Sequence, residues 1–214
     1  LSCSIVLLYG NGSFETSKIL LFYWQKLRRY DIILSVPVSG RENRMNTKDI
    51  GENINFQTIK KSAKLGYADS MFMLGSLYFD GYGTKQNMEL ARKWWRKAAK
   101  AGNIYAQYNT ALMYLNGDGV KKSTVKAAEW YLKAAEQGHV IAQNELGYAY
   151  QNGLGVEENQ EKALEWYRKA AEQGFAVAEY NIGEMYENGL GVEKSLEESF
   201  SWYKRSAEHG FARG

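Results

Sequence analysis

Of the 214 residues only one is cysteine, Cys3, and only two are histidine, His139 and His209. A lone thiol excludes an intramolecular disulfide framework. With so few imidazoles beside it, the usual nitrogen and sulfur ligands of a zinc site are missing too. Long hydrophobic runs are also lacking: "SIVLLY" and "ILLFYW" fall far short of the ~20 residues that a membrane-spanning helix needs. The strings of a nucleophile elbow, a zincin or a phosphate-binding P-loop do not occur. We therefore expect no enzyme, no cofactor, no metal and no membrane span.

Glycine, by contrast, is plentiful and periodic. "DGYGT" begins at Asp80, "NGDGV" at Asn116, and "NGLGV" at both Asn152 and Asn188. A Gly-x-Gly ahead of a helix can cradle phosphate. A phosphate loop, however, is needed once per site, whereas these four recur every 36 residues. The same step carries Gly66, Gly102, Gly138, Gly174 and Gly210. It also carries Tyr78, Tyr114, Tyr150 and Tyr186, and Trp94, Trp130, Trp166 and Trp202. A fixed period of this size marks a solenoid of stacked supersecondary units, so the glycines read as punctuation.

Residues 139–174 illustrate one unit. Ala142, Leu146, Ala149 and Tyr150 lie at helical spacing with Gly147 among them, and Asn152–Gly153 stops the helix. Ala163, Trp166, Tyr167, Ala170 and Ala171 mark a second helix, ended by Gly174. Each unit is thus a helix hairpin. Gly75, Ala111, Gly147 and Gly183 share one phase, where small residues let two helix backbones approach. Bulky Tyr and Trp fill the space beside them, and Trp130 and Trp166 are expected to be largely buried between hairpins. The fourth unit departs slightly, with Ser199 for an alanine and Arg205–Ser206–Ala207 for Lys–Ala–Ala.

The string A-x-x-x-L-G-x-x-Y-x-x-G-x-G-V…A…W-Y-x-K-A-A-E-Q-G resembles the Sel1-like repeat family, relatives of tetratricopeptide repeats. The likeness implies an all-α solenoid of about four and a half repeats over residues 53–214. Full repeats fall at about 67–102, 103–138, 139–174 and 175–210, preceded by a half repeat that includes a helix from about Asn53 to Leu65. It departs from those relatives that carry a cysteine pair in every repeat. No capping helix follows the last hairpin in this sequence, so Phe200 and Phe211 are expected to want cover, either because the chain is cut short or because that face binds something.

Net charge is +3, unevenly spread. Residues 61–138 hold twelve Lys/Arg against six Asp/Glu, and residues 139–214 hold seven against thirteen. The most basic piece is "ARKWWRKAAK", with Arg92, Lys93, Arg96, Lys97 and Lys100. A solvated outer helix face explains it simply; a docking patch for an acidic partner is the sharper reading. The polarity also suggests weak, salt-sensitive head-to-tail self-association of the solenoid.

Residues 1–52 do not share the period. A short strand, "GNGS", a helix and "DIILSVPV" outline a βαβ silhouette too small to stand alone, a remnant of a larger domain or a cap. Ser39 to Asn53 reads as the linker. Because the chain begins at Leu1, a signal peptide could already be gone, and the compartment stays open among cytoplasm, periplasm and exterior.

In the related tetratricopeptide repeats the first helix of each hairpin lines a concave wall. Carried over through the Leu–Gly–x–x–Tyr phase, that wall includes as binding candidates Phe72, Tyr105, Tyr108, Leu112, Asn144, Tyr148, Tyr180 and Glu184. Phe72, Tyr108, Asn144 and Tyr180 form one column, read either as binding aromatics or as rings packed between neighbouring helices. The resemblance implies an adaptor or scaffold binding an unidentified protein or peptide, in bacterial signalling, envelope biogenesis, host interaction or membrane-protein quality control. One alternative is a single-stranded RNA reader, which needs a basic groove and meets acidic third and fourth units here. Another is a regulatory repeat region attached to an incomplete α/β domain.

Overall fold

The computed structural model describes residues 47–211, with side chains from Phe56 onward. The βαβ silhouette of residues 1–46 lies outside the described residues. Among them there are nine α-helices and no strand. Helix α1 (Thr47–Lys64) is followed by four hairpins: α2 (Ala68–Asp80) with α3 (Met88–Lys100), α4 (Ile104–Asn116) with α5 (Thr124–Glu136), α6 (Val140–Asn152) with α7 (Gln160–Ala171), and α8 (Ala176–Asn188) with α9 (Leu196–Glu208). The two helices of each hairpin pack along their length, and each second helix then packs on the first helix of the next unit. This is the nearest-neighbour stacking of an all-α solenoid.

Helix α1 begins at Thr47, six residues before the expected start and inside the stretch read as a linker. Gly51 is its only strong helix breaker there, at about 1 kcal/mol. Further along, Phe56, Ile59 and Ala63 dock the helix by their burial.

Local sequence explains where the other helices start and stop. Asn87, Asn103, Ser123, Asn159 and Ser195 accept a backbone N–H at helix N-caps, and His139 does the same through Nδ1. Gly153 ends α6 at φ +65°, a left-handed conformation in which a side chain is strained. Gly155, two residues on, is needed for a different reason: a Cβ there would run into the Thr124 carbonyl oxygen and the Val125 nitrogen of the preceding unit. The Gly-x-Gly loops are therefore chain reversals pressed against a neighbouring helix. Each is tied back by one backbone bond, as in Asn159 N–H to Tyr150 O at 2.9 Å.

The core runs along the hairpins as alanines interleaved with large side chains. Ala142, Leu146 and Ala149 are buried, as are Ala163, Ala170 and Ala171, with Tyr150 half-buried beside them. Trp166 is buried, but Trp130 is only half-buried, contrary to expectation. Each tryptophan of the 36-residue series lies under the cation three residues ahead: Lys97 on Trp94, Lys133 on Trp130 at 4.3 Å, Lys169 on Trp166 at 3.8 Å, and Arg205 on Trp202. The deeper aromatic is the next residue in sequence. Tyr167 is wholly buried and lies over Gly147, where a Cβ would sit 2.7 Å from its ring.

Candidate partner-binding face

The first helices share a composition unlike that of their partners. Helices α2, α4, α6 and α8 contain Asp69, Asp80, Glu145, Glu179, Glu184 and Glu187, and no lysine or arginine. Their partners α3, α5, α7 and α9 hold twelve Lys/Arg and eight Asp/Glu. Charge is thus segregated between the two helices of a hairpin as well as along the chain. The polarity along the length was readable from segment sums; the segregation between helices emerges only after helix assignment.

On the first helices, Tyr105 is 41% and Tyr148 50% exposed. Phe72, Tyr108, Leu112, Tyr180 and Glu184 are half-buried, and Asn144 is buried. The column expected of Phe72, Tyr108, Asn144 and Tyr180 is engaged in contacts between units. The Phe72 ring lies 6.0 Å from that of Tyr105, and Tyr108 stacks on His139 at 4.6 Å. Tyr180 contacts Tyr203 and Phe211, which gives Phe211 cover, whereas Phe200 is 70% exposed. Asn144 accepts from Asn181 Nδ2 at 3.0 Å and donates to Glu145 at 3.4 Å. These positions contribute to packing, while Tyr105 and Tyr148 remain presented to solvent.

Residues outside that reading pack against the first helices from the second. Trp95, Tyr131, Tyr167 and Tyr203 occupy one phase of the second helices and pack on Gly75, Ala111, Gly147 and Gly183. The small residue lets the phenol reach past the first helix. Tyr167 Oη donates to Gln151 Oε1 at 2.8 Å, and Tyr203 Oη to Glu187 Oε2 at 2.7 Å. In the second unit the acceptor's place is taken by Leu115, and Tyr131 Oη is buried without a hydrogen-bond partner. The phase of the small residues was the sequence signal for this insertion.

Four ionisable groups here have shifted pKa values. Burial pushes the Glu145 carboxyl above the usual carboxylate range, only partly countered by the Asn144 hydrogen bond. Its charge in turn helps raise the phenols of Tyr131 and Tyr167, both raised chiefly by burial. Burial lowers His139, whose Nδ1 accepts from Ala142 N–H at 3.2 Å. Among the described residues the ion pairs converge on Glu179, so no cation offsets Glu145. No described helix is long and apolar enough to cross a membrane.

The pattern of the Sel1 repeat matches residues 68–103, 104–139, 140–175 and 176–211. No curated protein matches the chain significantly. A Sel1 repeat protein from Oxalobacter formigenes is 36% identical with a TM-score of 0.70, over 77% of this chain and 67% of that one. The protective antigen c5321 of uropathogenic Escherichia coli, which displays an SLR fold, is 36% identical with a TM-score of 0.68. That match covers 73% of this chain but only 34% of the antigen, so the chain spans about a third of that relative's length. Four matched repeats, four hairpins in register with them and these structural relatives agree: the chain belongs to the Sel1 repeat family.

Proposed function

We propose that this chain is a non-catalytic interaction scaffold that receives a peptide segment of a partner protein along its first-helix face. Sel1 repeat proteins generally mediate protein–protein interaction and are generally non-catalytic. The observation that carries the reading is the pair of half-exposed rings, Tyr105 on a helix without charged residues and Tyr148 on a helix whose only charge is Glu145. Tyrosine supplies large contact area with few rotatable bonds, which suits it to recognition. Single-stranded RNA is a poor occupant of the same face, because phosphate binding needs lysine and arginine and the first helices have none.

A photo-crosslinking residue in place of Tyr148, compared with one in place of the exposed Glu129 of α5, tests this in the full chain. Partner adducts at position 148 and none at 129 are expected. Adducts at 129 alone would move the binding surface to the second helices and overturn the reading.

A further inference from the structure

The cavity of about 310 Å³ lined by Lys93, Arg96, Lys97, Lys100 and Trp130 is an array of surface cations with nothing to show what fills it. The exposed Phe200 and Leu196 form an apolar face whose cover is likewise unspecified. The surroundings of Glu145 differ, because they specify a missing chemistry.

Glu145 stands on α6 one turn before Tyr148, near enough to the second-helix phenols of Tyr131 and Tyr167 for its charge to act on both. Three observations meet there. A half-buried carboxylate has an amide donor, Asn144, at 3.4 Å and no cation among the described residues. The Tyr131 hydroxyl, which feels the Glu145 charge, is buried without a hydrogen-bond partner. One turn further along the same helix the Tyr148 ring is half-exposed. The other units do not repeat this set: positions 109 and 181 carry asparagine where α6 carries glutamate. A half-buried carboxylate is stabilised by a charge-assisted donor, an orphan hydroxyl by a donor to its oxygen, and an aromatic face by a cation. One group answers all three. We propose that Glu145, Tyr131 and Tyr148 form a seat for one lysine or arginine side chain of a docked partner segment. The cationic head pairs with the Glu145 carboxylate, its stem lies along Tyr148, and a side-chain shift opens Tyr131 Oη to it. Glu184, half-buried on the next first helix, adds to the negative potential. This rests on the docking of a peptide segment along the first-helix face.

The test pans a random dodecapeptide phage library on the full chain and measures selected peptides by fluorescence polarisation. Selected peptides are expected to share a lysine or arginine at one fixed place. Replacing it by norleucine is expected to weaken binding about tenfold or more, the size of one charge-assisted hydrogen bond. Glu145→Gln should remove that difference. Tyr131→Phe should weaken the basic peptides while leaving the free chain's melting temperature unchanged or higher, which a merely structural hydroxyl would not do. Peptides with no shared basic residue, or a basic preference that survives Glu145→Gln, would overturn the seat while docking stands. Unchanged affinity in Tyr131→Phe would strike Tyr131 from it. Selection of no peptide at all would remove the docking reading and the seat together. Self-association of the chain that Glu145→Gln abolishes would make a second copy the occupant instead.

Discussion

His209 Nδ1 stands 2.8 Å from the Oε2 of Glu179, a carboxylate with no solvent exposure. The same two places hold Gln137 on Gln107 at 2.6 Å and Gln173 on Gln143 at 2.8 Å in the preceding units. Only the fourth unit makes this clasp ionic, with Arg205 Nε as a second donor to Glu179 at 2.6 Å. Arg205 replaces the lysine of the other units, and its planar head also reaches the Ala171 carbonyl at 2.9 Å. It thus ties α9 to both α7 and α8.

Removing both partners of Glu179 strands a buried charge. Arg205→Met with His209→Ala is expected to destabilise the fourth unit by about 3–5 kcal/mol. Adding Glu179→Gln should recover most of the loss, because the buried group is then neutral. Urea unfolding with hydrogen exchange on α8 and α9 reads both; a triple variant no better than the double would refute the account.

The loop glycines should answer differently to alanine. Gly153→Ala is expected to cost about 1 kcal/mol or more through strain at positive φ. At Gly155→Ala, contact with the Thr124 backbone is added, so the loss should be larger. Neither should alter any response to ATP. Saturable ATP binding that Gly153→Ala abolishes would return these loops to the phosphate-cradle class.

Trp166→Ala should destabilise the chain by about 3–5 kcal/mol. The half-buried Trp130 should be less sensitive to the same change. Equal melting curves for Trp166→Ala and the unaltered chain would contradict the packing between α6 and α7.

His139 caps α6 as an acceptor, and its folded pKa lies below the ordinary 6.5. The unfolded chain therefore binds the proton more readily, and stability falls as pH drops from about 6.5 through the folded value. His139→Asn supplies a cap that does not titrate. We expect it to flatten this part of the stability profile, measured by thermal melts in steps of pH.

Glu145 has the opposite sign. Its folded pKa is raised above 4.5, so its contribution is fully present below that pH and lost as pH rises through the folded value. Glu145→Gln is thus expected to raise the melting temperature at pH 7, with the gain shrinking as pH falls toward 4.5. The groups facing it are Asn144, Tyr131 and Tyr167, of which neither phenol ionises in that window. A gain independent of pH would locate the effect in packing.

Helix order, hairpin pairing and loop chemistry are set by the sequence alone. Apolar spacing of a few residues, the Asn and Ser caps and the left-handed glycines act within a turn or two of their own positions. A 36-residue period then obliges each unit to stack on the next. Chain-local reasoning ends where two side chains compete for one space. Of the adjacent Trp166 and Tyr167, the sequence offers both to the core. Packing on Gly147 takes the tyrosine inward and leaves the tryptophan to lie under Lys169. Likewise Glu145, Glu179 and Glu184 are three glutamates on first helices, alike in propensity. Only the tertiary fold buries one between Arg205 and His209 and leaves the other two half-buried, Glu145 with an amide donor and no cation among the described residues. Burial and partner choice depend on residues some 30 positions away, and charge energies depend on that surrounding dielectric more than on the residue itself.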